Sequence, residues 1–177
     1  MSDFLELAAR RQSCRDFSDK PVEHEKLVKC AEAARLAPSG CNAQPWSLVV
    51  VESPDKVKEV AECTQLLGLN RHNDKARAFF VAVEEPAKLM PKVASLLDSQ
   101  IFAKGDLGGF VLSLCLEAET QGLGTCILGM FDRPRLREIL GIPEDRSIFL
   151  LVSVGYPASD RVREKTRKPA GQFVRFV

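Results

Sequence analysis

Apolar residues recur along the chain with two periods. At helical spacing, Phe4, Leu7 and Ala8 share one face of residues 3–11, which begin with an Asp3…Glu6 pair resembling a capping box. Leu27, Cys30, Ala31 and Ala34 form a stripe over residues 23–37, and Pro38-Ser39-Gly40 ends it. Ser53-Pro54 opens a third helix running to about Leu67, and residues 132–140 form a later one stopped by Gly141. From Asp106 to Gln121 apolar residues fall on nearly every side, the pattern of a helix buried in a domain centre or at a subunit interface. Shorter runs rich in β-branched residues predict strands at 46–52, 78–84, 125–129 and 147–156. Residues 90–104 are mixed, helix or loop, and the closing QFVRFV alternates like a further strand. The order α-α-β-α-β-α-β-α-β with a terminal β predicts an α/β or α+β sheet covered by helices.

Length and charge narrow the possibilities. The 177 residues carry no repeat, low-complexity tract or linker, so one domain over 1–177 is expected. Twenty-five Lys and Arg stand against 24 Asp and Glu, a balance that offers no global field for nucleic acid or an anionic membrane. It does leave room for a local cluster gripping a small anion. No apolar run approaches the roughly 20 residues that span a bilayer. The N-terminus has acid before its apolar residues and no basic segment, so no secretory signal is expected. Six cysteines without a CxxC pair, and only two histidines, argue against a metal site. They are read as reduced thiols of a cytoplasmic protein.

Four segments are candidates for chemistry. Gly122-Leu123-Gly124-Thr125-Cys126-Ile127 begins like a dinucleotide fingerprint, but Ile127 replaces the third glycine and the loop leaves a helix to enter a strand. Its expected role is to stop the long helix and allow close backbone approach. In Arg10-Arg11-Gln12-Ser13-Cys14-Arg15, guanidinium groups flank a hydroxyl just past a helix end, which suits a phosphate; the alternative is a solvated helix terminus. In residues 37–46, two prolines bracket Ser39, Gly40, Asn42 and Gln44, a stiff loop whose amides suit the edge of a flat heterocycle, or simply a well-formed connection. The run 161–169 carries five positive charges and one negative, and such runs are usually solvated. Trp46 is read as core, His24 as surface and His72 as a non-catalytic loop residue.

Taken together and in order, these segments resemble the nitroreductase family of flavin-dependent oxidoreductases. Arg11-Gln12-Ser13-Cys14-Arg15 is similar to its Arg-x-Ser-x-Arg signature, and residues 38–46 to its Pro-Ser-small-x-Asn-x-Gln-Pro-Trp signature. Residues 106–129 resemble its central helix and following strand, while Gly155-Tyr156-Pro157 and Lys165-Thr166-Arg167 match its C-terminal end. The resemblance implies an α+β fold: a mostly antiparallel sheet covered by helices, a long buried central helix, and a C-terminal strand exchanged in a homodimer. It implies FMN held between subunits, with no catalytic side chain because the flavin carries the chemistry. Arg11, Ser13 and Arg15 would hold phosphate and ribityl chain, completed by Lys165 and Arg167. Gln12 stands where the family has a basic residue or His, on the pyrimidine side or the phosphate. Pro38, Ser39, Gly40 and Asn42 would come from the other subunit, Asn70 would read the pyrimidine, and Ile127, Leu128 and Gly129 would line one ring face. The implied reaction is ping-pong hydride transfer from NAD(P)H through FMN to a small electrophile, a nitroaromatic or quinone. The alternatives are a flavin-sequestering protein without nicotinamide turnover, or a specialised flavin-cleaving or dehalogenating member.

Overall fold

The computed structural model describes residues 3–96 and 98–177. Four antiparallel strands, β1 (Trp46–Val51), β2 (Ala78–Glu84), β3 (Gly124–Leu128) and β4 (Ser147–Gly155), form a sheet in the order β1-β2-β4-β3. The two central strands, β2 and β4, are the most apolar. Their alternating side chains feed two cores, as the period of two requires. Phe79, Val81, Val83 and Leu151 face α3 (Pro54–Cys63) and α6 (Arg133–Leu140). Phe80, Ala82, Val152 and Val154 face α2 (His24–Arg35) and α5 (Ser99–Thr120). Trp46 is half-buried and stacks on Phe110 with ring centroids 5.0 Å apart, a packing residue as its strand position suggested.

Three boundaries differ from the sequence pattern, each for a local reason. The central helix α5 begins at Ser99, not Asp106, because the Asp98 carboxylate accepts from the main-chain N–H groups of Gln100 and Ile101. Helix α3 stops at Cys63: the Thr64 hydroxyl donates to the Ala61 carbonyl, and Leu67 takes a left-handed conformation (φ 55°). The tail pairs with no strand of its own chain. Instead Ala170–Phe173 makes one helical turn (α7) and Val174 is extended, since the edge strands β1 and β3 do not meet it.

The end of α5 is the hinge of the site. Gly122 takes φ 74°, its N–H reaching Glu119 O, while Leu123 N–H reaches Ala118 O. Those two bonds stop the helix at a left-handed glycine, as the Gly-Leu-Gly sequence suggested. One side of α5 is buried through Leu107, Phe110, Val111 and Leu114. The opposite side leaves Ile101, Gly105, Gly108 and Leu112 in the open. Helix α1 (Asp3–Arg10) buries none of its residues. No helix among the described residues is long and apolar enough to cross a membrane.

Candidate anion site at the start of the third strand

After α1, residues 11–15 run beside β3. Ser13 bridges to Thr125 in parallel, and Cys14 N–H donates to Thr125 O at 2.8 Å. That approach requires Gly124, where a Cβ would stand 2.7 Å from both Cβ and Sγ of Cys14. The alternation of an extended segment then separates Arg11, Ser13 and Arg15 from Gln12 and Cys14. Burial raises the pKa of the Cys126 thiol on β3, opposed by Arg15, a hydrogen bond from Ser13, Arg11 and Arg163, so these groups surround one spot.

The tail after β4 closes on this segment. Residues 157–177 are exposed apart from half-buried Lys165 and the neighbouring polar contacts that hold it. Lys165 Nζ donates to Arg11 O at 2.5 Å, and Arg163 donates to Ser13 O. Gln12 donates from Nε2 to Arg161 O at 2.8 Å, while its Oε1 accepts from both N and Nε of Arg163 at 3.1 Å. Arg167 donates to the adjacent Thr166 carbonyl. A cavity of about 700 Å³ opens beside this junction, with Arg10, Arg15, Arg161 and Arg163 on its walls.

Two features mark the cluster as a place for an anion. Arg11 Nη1 is buried with no hydrogen-bond partner among the described residues, a costly state that an anion would relieve. Lys165 has its pKa pushed down, by burial first and then by Arg11 and Arg167, with Glu119 the opposing charge. Cations gathered from both chain ends repel one another here, and an anion between them would turn that repulsion into attraction.

The remaining expected site residues fall in three places. In the loop before β1, Ser39 Oγ accepts from Gln44 N, and Gly40 N–H donates to Asp106 Oδ2, both at 3.0 Å. Cys41, Asn42 and Gln44 all adopt positive φ, strain of the kind found at ligand loops, and a Cβ on Gly40 would overlap the Phe102 ring. Pro38 opens the loop at the surface. Asn70, also left-handed, donates from its amide to Thr64 O at 3.2 Å. Ile127 is 37% exposed and Gly129 is open, whereas Leu128 sends its side chain into the core at 4% and can offer only backbone.

One chain does not bring these places together. The 38–44 loop is tied to Asp106, while the Arg11 segment meets α5 at Glu119 through Arg10, at 3.3 Å. Those anchor points lie about 20 Å apart along the helix at about 1.5 Å rise per residue. Sequence reading did not single out Arg163, Asp106 or His72. Arg163 looks like its neighbours in a charge run, and Asp106 looks like a helix start. His72, whose Nε2 is buried without a described partner, has its pKa lowered by burial and then by Arg15.

Comparison with known proteins fits this geometry. A protein of Archaeoglobus fulgidus, whose name carries both NADH dehydrogenase and NAD(P)H nitroreductase, is 32% identical over 91% of this chain and 89% of its own length. Iodotyrosine deiodinase of Nematostella vectensis is 28% identical over 98% of this chain and 74% of its own. The NAD(P)H FMN reductase of Bacillus subtilis is 27% identical over 96% and 71% respectively. The fold matches the crystal structure of a nitroreductase family protein from Streptococcus pneumoniae, with a TM-score of 0.84, 23% identity, and coverage of 99% of this chain and 100% of that one. The model of the Nitroreductase family matches residues 8–156, from the last turns of α1 through the strand that launches the cationic tail. The chain therefore belongs to the nitroreductase family.

Proposed function

We propose that the chain is an NAD(P)H-dependent flavin oxidoreductase that binds FMN, works as a cytoplasmic homodimer and passes hydride to a small electrophile by a ping-pong mechanism. The observation that carries this reading is the buried, unpartnered Arg11 Nη1 among cations from both ends of the chain. Such a cluster fits a phosphate monoester through charge-assisted hydrogen bonds. Arg11, Ser13, Arg15, Lys165 and Arg167 would hold the phosphate and ribityl chain. Asn70, tied to Thr64 through its amide nitrogen, keeps its amide oxygen to accept from a ring N–H. Exposed Ile127 and open Gly129 would give an apolar platform for one ring face, with Leu128 contributing main chain.

When bound, FMN would supply the redox chemistry, taking hydride from reduced nicotinamide and returning it to a nitroaromatic or quinone. The protein supplies placement and fixed positive charge, which favours the reduced and more negative ring. Pro38, Ser39, Gly40 and Asn42 would come from the second subunit, because their own chain holds them about 20 Å from the Arg11 segment. The exposed α5 face of Ile101, Gly105, Gly108 and Leu112 supports a subunit contact. Six free thiols, four of them buried, support a reducing compartment.

Anaerobic addition of NADH or NADPH to the purified yellow protein tests the reading: the flavin absorbance should bleach and return with a nitroaromatic or quinone. A colourless protein that takes up no FMN would refute it. Full flavin occupancy without bleaching by either nucleotide would favour a flavin-holding role. The likeness to iodotyrosine deiodinase favours a second reading, reductive dehalogenation, in which dithionite-reduced protein would release iodide from iodotyrosine.

A further inference from the structure

We propose that Gln12 is a positioning residue that clamps the C-terminal tail, and through it selects phosphorylated flavin over riboflavin. The inference rests on the flavoprotein reading above. After Ala158, whose N–H donates to Asp16 O, the tail has no buried apolar side chain to fix its course. Its path toward Lys165 and Arg167 therefore depends on polar contacts, and Gln12 makes those that come first.

The primary amide is matched to this task. Its nitrogen meets a carbonyl, Arg161 O, and its oxygen meets donors, N and Nε of Arg163. A single orientation of the amide satisfies both, and no other side chain of similar length offers a donor and an acceptor in that arrangement. With both ends engaged, Gln12 reaches the phosphate site through the tail and not by touching a ligand. The clamp also fixes Arg163 so that its guanidinium reaches Ser13 O, and the next cation along, Lys165, lands on Arg11 O. Releasing Gln12 frees the tail cations together, at an entropic cost that any anion must then repay on binding. Riboflavin, which lacks the phosphate, gains nothing from those cations and should be indifferent to the clamp.

Gln12→Met keeps the length and bulk while removing both polar ends. In that variant FMN affinity should fall about tenfold or more, with riboflavin affinity changed less than about threefold. Arg163→Ala should weaken FMN similarly, and the double variant should be no weaker than the poorer single one, because the two residues act as a unit. In flavin-free protein, trypsin should cut faster among Arg161, Arg163 and Lys165 in Gln12→Met than in the parent. An unchanged FMN-to-riboflavin ratio, additive losses or an unchanged tryptic rate would each overturn the proposal. If the parent protein binds no FMN, the flavoprotein reading fails, and the tryptic comparison still decides whether the clamp exists.

Discussion

Lys165 and Arg11, 154 positions apart in sequence, are joined by a 2.5 Å hydrogen bond from the lysine ammonium to the arginine carbonyl. The bond places two positive charges at one end of β3, where no single stretch of sequence concentrates them.

Removing charge from both sides of this junction should empty the site. Arg15→Ala combined with Arg167→Ala is expected to weaken FMN binding by about 3–6 kcal/mol, with circular dichroism unchanged. Equilibrium dialysis checks it, and flavin retained at micromolar concentration would count against the assigned phosphate ligands.

The approach of residues 11–15 to β3 depends on a missing side chain. A Cβ at Gly124 would lie 2.7 Å from Cβ and Sγ of Cys14 and 3.1 Å from Pro157 Cγ. Gly124→Ala should therefore lower unfolding free energy by about 1–3 kcal/mol and displace the Arg11 segment. Urea denaturation measures the first effect and FMN titration the second; a variant as stable as the parent would show that the segment yields without cost.

The two histidines should titrate with opposite signs. His24 Nδ1 lies 2.9 Å from Glu52 Oε2, and that hydrogen bond, then the carboxylate charge, raises the imidazole pKa. Its contribution to stability is present in full below about pH 6.5 and is lost as pH rises through the raised value. For His72, burial and Arg15 lower the pKa, so the unfolded chain takes up the proton first. Stability is then lost as pH falls from about 6.5 toward the lowered value. Denaturation curves across this range should show His24→Asn destabilised only on the acid side, and His72→Gln with a shallower acid decline. Parallel pH profiles for both variants and the parent would disprove the assignment.

A charge on the open face of α5 should separate subunits. Leu112 follows Ile101, Gly105 and Gly108 along that face and is 49% exposed in the single chain. Leu112→Lys should sediment as a monomer and lose FMN, because the 38–44 loop would no longer meet the Arg11 segment. A flavin-loaded dimer in this variant would move the interface elsewhere.

Periodicity alone located the four strands and the helices between them, because each buries a face against the sheet and the burial pattern is local. It misjudged the start of α5, where the decisive signal was a single carboxylate, Asp98, capping a glycine-rich helix. It also read QFVRFV as a strand, although an alternating pattern becomes a strand only where another strand's edge receives it. Of the site, the cationic and amide-rich segments were legible by composition and order. Which of their members touch was not.

The sequence by itself determined the family, the helix-stopping Gly-Leu-Gly turn and the gathering of positive charge near both chain ends. These follow from residue type and short-range spacing. Only the tertiary structure decided that Gln12 reaches Arg161 and Arg163, that Asp106 fastens Gly40, and that the two halves of the site lie at different ends of α5. Contacts between residues 66 to 151 positions apart depend on how the chain packs, and nothing local in the sequence specifies them.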